Sequence, residues 1–247
     1  KNRTKKPPDA YVSKNDFING WKKIKETTSA GISGLHFGHL KSCAQNNTLA
    51  EFESAIASIP FSTGFSPTSW QYGVMVMIKK KAKVDLVTQM RTVVLTEADF
   101  NFNNKILGKL TMDHAEAIKA IPKEQYGSRK GHNSIEHAIN KRLTYDILRQ
   151  FRSPGALCSN DAKSCYDRII HSIAMLAYRR LGIPIPPVQC MVKTIQNMKH
   201  HVRTTFGDST FTMNRDGVLE PYQGALQGNG ASPATWVVIS APLLNML

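Results

Sequence analysis

The segment Asp-Ala-Lys-Ser-Cys-Tyr-Asp-Arg at residues 161–168 follows directly on a short apolar run at residues 156–159. An apolar run bounded by a Pro-Gly pair and an acidic residue predicts a buried strand that ends at Asp161. A carboxylate at a strand end, with partners on adjacent strands, is a common way to hold magnesium against phosphate oxygens. Taken alone, an Asp at such a place is more often a turn or helix-cap residue.

A second informative segment, Leu-Gln-Gly-Asn-Gly-Ala-Ser-Pro-Ala, lies downstream at residues 226–234. Its glycines allow a backbone to approach a ligand closely. Ser232 and Pro233 are suited to be the N-cap and the first residue of a helix. The segment therefore predicts a loop that can contact a ligand and then leads into a helix.

Upstream, the pattern at residues 72–95 is apolar, then basic, then apolar. The apolar run at residues 74–78 is followed by lysines, and Arg91 opens a second run, Thr-Val-Val-Leu. This predicts two strands joined by a basic loop.

The remaining periodicity predicts helices and further short strands. The helices are expected at residues 16–26, from about 39, and at 49–59, 133–151, 167–181 and 187–200, with strand-like runs at 202–206 and 210–213. Asn133 and Glu136 have the spacing of a capping box. Helices and hairpins without regular strand–helix alternation predict an α+β fold.

The composition is that of a folded, strongly basic protein. The 247 residues carry a formal net charge of +14 and have a pI of about 9.7, which favours a polyanionic partner such as nucleic acid. No signal peptide and no long apolar run is visible, so an intracellular, soluble protein without a membrane partner is expected.

The cysteines and nearby histidines do not have the spacing of a zinc site. No Cys-x-x-Cys pair occurs, and His36 and His39 lack a fourth ligand beside Cys43. No zinc is therefore expected, and reduced thiols are predicted for Cys43, Cys158, Cys165 and Cys190.

The order of these motifs resembles that of reverse transcriptases. Asp-x-x-x-x-Tyr from Asp161, followed by Gln-Gly-x-x-x-Ser-Pro from Gln227, is similar to their A and B motifs. Residues 124–138 resemble the segment that non-LTR retrotransposon and group II intron enzymes carry before the A motif. Residues 77–81 with Arg91 resemble their fingers hairpin, and residues 29–41 resemble the lead-in of non-LTR enzymes.

The resemblance covers residues 29–247 and implies a right-hand polymerase fold. Residues 1–64 would be an N-terminal extension, residues 65–150 the fingers, and residues 151–247 a palm without its thumb. The implied activity is RNA-directed DNA synthesis for a retroelement. The implied partners are an RNA template, a DNA primer and deoxynucleoside triphosphates, whereas no oligomeric state is implied.

The resemblance also implies roles for the A-motif residues. Asp161 would be the catalytic aspartate and would bind Mg²⁺, with the Ala162 carbonyl as a further ligand. Two ions would act in the complete enzyme, and Mn²⁺ could replace Mg²⁺. Tyr166 would be the steric gate that excludes a 2'-hydroxyl, which implies a preference for deoxynucleotides.

For the triphosphate and template, the resemblance points to the basic hairpin and the glycine loop. Gln227 and Gly228 would lie against the nucleotide and the template. Arg91 would hold phosphate together with Lys79, Lys80 or the lysine that follows them, and the choice among these lysines stays open. A guanidinium and an ammonium both suit a triphosphate.

The third family motif, an aromatic followed by two adjacent aspartates, is absent from these 247 residues. Without a second carboxylate cluster, two metal ions cannot be held for in-line transfer. This sequence alone is therefore expected to be inactive. Two alternatives remain: a catalytically dead RNA-binding remnant, and an RNA-dependent RNA polymerase in which Asp167, one position out of register, takes the place of Tyr166.

Overall fold

The computed structural model describes residues 6–80, 86–156, 162–213 and 223–246. Asp161 and nearly all of the predicted strand at residues 156–159 lie outside these ranges.

A mixed sheet links distant parts of the chain. Its strands are β1 (Tyr72–Lys79), β2 (Met90–Leu95), β3 (Lys199–Thr204) and β4 (Gly207–Asp208), in the order β2-β1-β3-β4. β1 is antiparallel to β2 and parallel to β3, while β3 and β4 form a short antiparallel hairpin. The predicted strand pair around the basic loop is therefore confirmed, and β1 also holds a strand from the second half of the chain.

Eight α-helices occur in the described residues. They are α1 (Lys14–Lys22), α2 (Phe37–Cys43), α3 (Asn47–Thr63), α4 (Ala98–Ala117), α5 (Ser134–Gln150), α6 (His171–Leu181), α7 (Ile185–Gln196) and α8 (Ser232–Leu244). Short 3₁₀ turns occur at Thr68–Trp70, Val87–Gln89 and Cys165–Arg168. No helix in the described ranges has the length and apolar character needed to cross a bilayer.

The main hydrophobic core is built from α1, α3, α4 and α7. Trp21 of α1 is fully buried and stacks on Phe102 of α4, with ring centroids 5.0 Å apart. Phe17 meets the same Phe102 edge-on at 5.4 Å. Each such aromatic side chain contributes about 1.5–3 kcal/mol by burial, so α4 is fixed firmly to the N-terminal helices.

Local signals explain where several helices begin and end. Ser13 and Asp16 form a capping box at the start of α1, and the Asn133 side chain accepts a hydrogen bond from the Glu136 amide at the start of α5. Gly64 and Gly182 end α3 and α6 in the left-handed conformation. A left-handed C-terminal residue is easiest for glycine, which lacks a Cβ.

Three predicted elements differ from the structure. The helix predicted from residue 167 begins instead at His171, because residues 165–168 form a 3₁₀ turn after Ser164, whose φ is 51°. The helix predicted up to residue 200 ends at Gln196, because residues 199–203 pair with β1. The strand-like run at 210–213 contributes only an isolated bridge between Met213 and His200.

The longest helix described, α4, was not predicted at all. Its first turns carry Asn101, Asn103 and Asn104, and asparagine has low helix propensity. Asn103 and Asn104 are nevertheless buried. Tertiary packing therefore outweighs local propensity in this helix.

The architecture confirms the α+β class. The right-hand arrangement and the division at residues 64 and 150 stay predictions.

Candidate functional site

Backbone hydrogen bonds join the region of Tyr166 to the residues just before the segment 226–234. The Ala225 amide donates to the Tyr166 carbonyl at 2.8 Å, and the Gly224 amide donates to the Ile169 carbonyl at 2.8 Å. The downstream part of the 161–168 segment and the loop before α8 are therefore direct neighbours, although about sixty residues separate them in sequence.

Gln227 lies between this segment and the basic hairpin. Its side-chain Nε2 donates to Asp167 Oδ2 at 3.2 Å, and its carbonyl accepts from the Val94 amide at 3.0 Å. Because Val94 belongs to β2, one residue connects the strand that carries Arg91 to the turn that carries Tyr166. From the sequence, Asp167 is only a shifted alternative to Tyr166, and no motif indicates its contact with Gln227.

Gly228 occupies a position that only glycine fits. Its φ is +109°, and a Cβ there would lie 3.0 Å from the Val94 carbonyl oxygen and 3.6 Å from Val93 Cγ1. Both the backbone conformation and the space disfavour any side chain. The loop therefore lies flat against the end of β2.

Asn101 of α4 fixes the next part of this loop. Its Nδ2 donates to the Gly228 carbonyl at 3.2 Å, and its Oδ1 accepts from the Gly230 amide at 2.8 Å. One side chain thus satisfies two backbone groups of the loop. Sequence reasoning missed this residue, although an asparagine-rich helix start was a usable signal, because asparagine is costly there unless its amide has partners.

Two polar side chains, Asn229 in the loop and Ser232 at the start of α8, hold the shape of the loop. Asn229 donates to the Ala225 carbonyl at 2.9 Å and accepts from the Ala231 amide at 3.0 Å. Ser232 was predicted to be the N-cap of α8, but Ala231 occupies that position. The Ser232 hydroxyl instead donates to the Leu226 carbonyl at 2.9 Å, because the chain folds back over it.

His171, at the start of α6, braces the other end of the loop. It is buried, and its Nε2 lies 2.7 Å from the Gly224 carbonyl oxygen. Gln196 of α7 approaches its Nδ1 at 3.3 Å. No sequence motif marks His171, whose side chain connects α6 to the loop and to α7.

Tyr166 is half-buried beside the loop. It packs against a small cluster of Ile169, Ala174 and Ala225, which Trp236 of α8 also contacts. Burial raises the pKa of the Tyr166 hydroxyl above its usual value, with a smaller contribution from Cys165. The ring is therefore held in place by packing and is neutral at physiological pH.

The strand register divides the basic residues of the hairpin between two faces. Ile78 pairs with Arg91 and Lys79 pairs with Met90. Side chains alternate along a strand, so Arg91 lies on the same face as Val93, and Val93 adjoins Gly228. Lys79 pairs with Met90 and therefore lies on the opposite face. Lys80 follows in the bend after β1 and is exposed.

A cleft of about 300 Å³ borders the other side of the loop. Its lining includes Gly228, Gly230, Asn101, Lys25 and Lys105. Burial, and secondarily the charge of Lys23, lowers the pKa of the Lys105 ammonium. The Lys105 Nζ donates to the Gly20 carbonyl at 3.2 Å. The cleft therefore offers positive charge beside a backbone with little steric bulk.

The metal prediction rests on residues that the structure covers only partly. Asp161 lies outside the described residues, and Ala162 is exposed. Among the residues described, no group of three or more His, Cys, Asp or Glu side chains is arranged to hold a metal ion. The roles of Asp161 and Ala162 stay predictions. The Asp208 carboxylate is engaged in an ion pair with Arg203 at 2.7 Å across the β3–β4 hairpin.

No protein family and no curated protein was found to match this chain.

Proposed function

We propose that the chain forms the fingers and the front part of the palm of an RNA-directed DNA polymerase. The observation that carries the proposal is the position of Gln227, which contacts Asp167 on one side and the backbone of β2 on the other. The contacts of Gln227 connect three of the segments that carry the resemblance to reverse transcriptases: the described part of residues 161–168, the glycine loop and the basic hairpin. The substrates would be a deoxynucleoside triphosphate and a DNA primer on an RNA template.

In this proposal Asp161 and the Ala162 carbonyl hold Mg²⁺, or Mn²⁺ in its place. Both residue types fit, since oxygen atoms are the ligands these ions prefer. The ion would neutralise triphosphate charge and favour attack by the primer hydroxyl. The described residues contribute the flat glycine loop against which the base pair would lie.

For the triphosphate, the register favours Arg91 over Lys79. Arg91 is exposed and projects from the face of the hairpin that adjoins Gly228. Lys79 lies on the opposite face, whereas Lys80 follows in the bend after β1, is exposed and is not restricted to that face. We therefore assign phosphate binding to Arg91 and Lys80.

The packing of Tyr166 supports its role as the steric gate. A ring held against Ile169 and Ala225 has little freedom to move aside for a 2'-hydroxyl. The chain should therefore bind dATP more tightly than ATP in the presence of Mg²⁺. Tyr166→Ala should reduce that preference.

The test is calorimetric titration of the chain with dATP and with ATP, both with Mg²⁺. The proposal is supported if dATP binds saturably and Asp161→Asn weakens this binding at least about tenfold. A tenfold loss corresponds to about one strong charged interaction. Equal, weak binding of both nucleotides that Asp161→Asn leaves unchanged would contradict it.

A second candidate, an RNA-binding module without chemistry, is favoured by the net charge of +14. Such a module would bind RNA with strong salt dependence. It would show no specific affinity for dATP. The same titration therefore separates the two functions.

A further inference from the structure

Helix α5 presents an unpartnered apolar stripe. None of its residues is buried, and apolar side chains recur every four positions along it. The exposed fractions are 67% for Ile135, 53% for Ile139, 53% for Leu143 and 54% for Ile147, followed by 70% for Phe151 just after the helix. Exposed apolar stripes of this kind mark interaction surfaces.

The chain that follows α5 contacts the C-terminal end of the helix on one side, at Leu148. The Ser153 amide donates to the Leu148 carbonyl at 2.9 Å, and a Cβ at Gly155 would lie 2.9 Å from Leu148 Cδ1. Leu148 is about 140° around the helix from Leu143 at 100° per residue. The exposed stripe is therefore on the side that the following segment leaves open.

The stripe is symmetric about Leu143. When two copies of α5 lie antiparallel with a two-fold axis at Leu143, Ile139 of one copy faces Ile147 of the other. Residues four apart form the ridges that interdigitate when two helices cross at about −50°. A surface that complements itself around one point is what a two-fold dimer requires.

Polar residues on the same face select the antiparallel direction. Glu136, Asn140, Asp146 and Gln150 all lie within about 60° of Leu143 around the helix. In the antiparallel pair, Glu136 meets Gln150 of the second copy and Asp146 meets its Asn140. In a parallel pair, each carboxylate would instead face the same carboxylate of the second copy, and the two negative charges would repel each other. Asp146 already pairs with Arg142 at 3.2 Å in one copy, which keeps its carboxylate in place.

We propose that α5 is the surface through which two copies of this chain associate, antiparallel and crossing at Leu143. One helix pair buries less than the roughly 1,200–2,000 Å² of a standard interface. The dimer should therefore be weak and concentration-dependent. The inference does not depend on the proposed polymerase function, because α5 contains none of the residues assigned to nucleotide binding.

The first test is sedimentation of the whole chain over a range of concentrations. The chain should shift from monomer to dimer as its concentration rises, and Leu143→Glu should abolish the shift. The matched control is Leu176→Glu on α6, because Leu176 is 63% exposed and outside the stripe. A monomer at every concentration, or a dimer that survives Leu143→Glu, would overturn the proposal.

The second test fixes the direction and does not depend on a destabilising charge. Leu143→Cys should give a disulfide-linked dimer under mild oxidation, because the two copies of residue 143 face each other. Ile135→Cys should not cross-link by itself, and the parent chain controls for the native cysteines. A cross-link through residue 135 alone would indicate a parallel pair and would refute the antiparallel interface.

Discussion

At the scale of single residues, the loop before α8 depends on side chains that make two hydrogen bonds each. Asn101, Asn229 and Ser232 bind backbone groups of this loop, and they belong to α4, to the loop itself and to the first turn of α8 respectively. Such bonds satisfy groups that would otherwise be buried without partners, which costs about 1–3 kcal/mol per group. The shape of the loop is thus set before any ligand binds.

Replacing Asn101 by Ala should destabilise the chain and weaken nucleotide binding. The variant loses the bonds to Gly228 and Gly230, and about 1–3 kcal/mol of unfolding free energy with them. Urea unfolding and dATP titration measure the two effects. Asn19→Ala is the matched control, since Asn19 is an exposed helical asparagine whose side chain makes no hydrogen bond within the described residues. Equal losses of stability and of dATP affinity in both variants would show that the two hydrogen bonds of Asn101 have no special role.

His200 should make stability depend on pH. Burial lowers the pKa of its imidazole from an ordinary 6.5 to about 4. Between these values the unfolded chain binds a proton that the folded chain does not, so stability falls as pH decreases from about 6.5 to about 4. The loss should reach roughly 3 kcal/mol. Urea unfolding at several pH values measures it.

The variant that tests this account is His200→Gln, and its control is His137→Gln. Removing the buried imidazole should flatten the pH dependence, whereas removing the exposed His137 of α5 should not. Parallel curves for both variants and the parent chain would contradict this account of His200.

At the scale of elements, the hairpin β1–β2 sorts its basic residues by strand alternation. Arg91→Ala and Lys80→Ala should each weaken dATP binding about tenfold, the effect of losing one charge-assisted hydrogen bond. Lys79→Ala should have a smaller effect, because its register places it on the opposite face. Calorimetric titration of the three variants decides the point. A loss confined to Lys79→Ala would mean that the other face binds phosphate.

The pair α6–α8 supports the loop from behind. Tyr178 of α6 is fully buried, and its hydroxyl lies 2.7 Å from Thr235 Oγ1 of α8. Tyr178→Phe should lower the unfolding free energy by about 1 kcal/mol, because one buried hydrogen bond is lost without a cavity. Tyr145→Phe on α5 should have almost no effect, because the Tyr145 side chain is 46% exposed. Equal urea midpoints for Tyr178→Phe and the parent chain would refute the role of this bond.

Elements with local signals were predictable from the sequence. The Asn133 cap gave the start of α5, and Gly182 gave the end of α6. The apolar runs at residues 74–78 and 92–95 gave the two hairpin strands. By contrast, α4 and the early end of α7 depend on tertiary contacts, namely the packing of α4 on Trp21 and the pairing of β3 with β1.

At the scale of the whole molecule, the candidate site is built from segments far apart in sequence. The resemblance implies that residues 161–168 and 227–228 border one site. In the part of these segments that is described, the Tyr166 carbonyl and the Asp167 carboxylate accept hydrogen bonds from Ala225 and Gln227. Asn101 and His171 could not be found by motif, because their roles depend on which backbone groups reach them. The periodicity of α5 predicts an apolar face but not what that face packs against. The sequence therefore does not show that the α5 stripe lies outside the core.

The central claim is that Asp161, the loop at residues 224–228 and strand β2 border one metal–nucleotide site. Paramagnetic broadening of backbone amide signals by Mn²⁺ in the presence of dATP tests it most directly. The account predicts selective broadening at residues 224–228 and 93–94, and its loss in Asp161→Asn. Broadening centred elsewhere, or unchanged in Asp161→Asn, would contradict the claim.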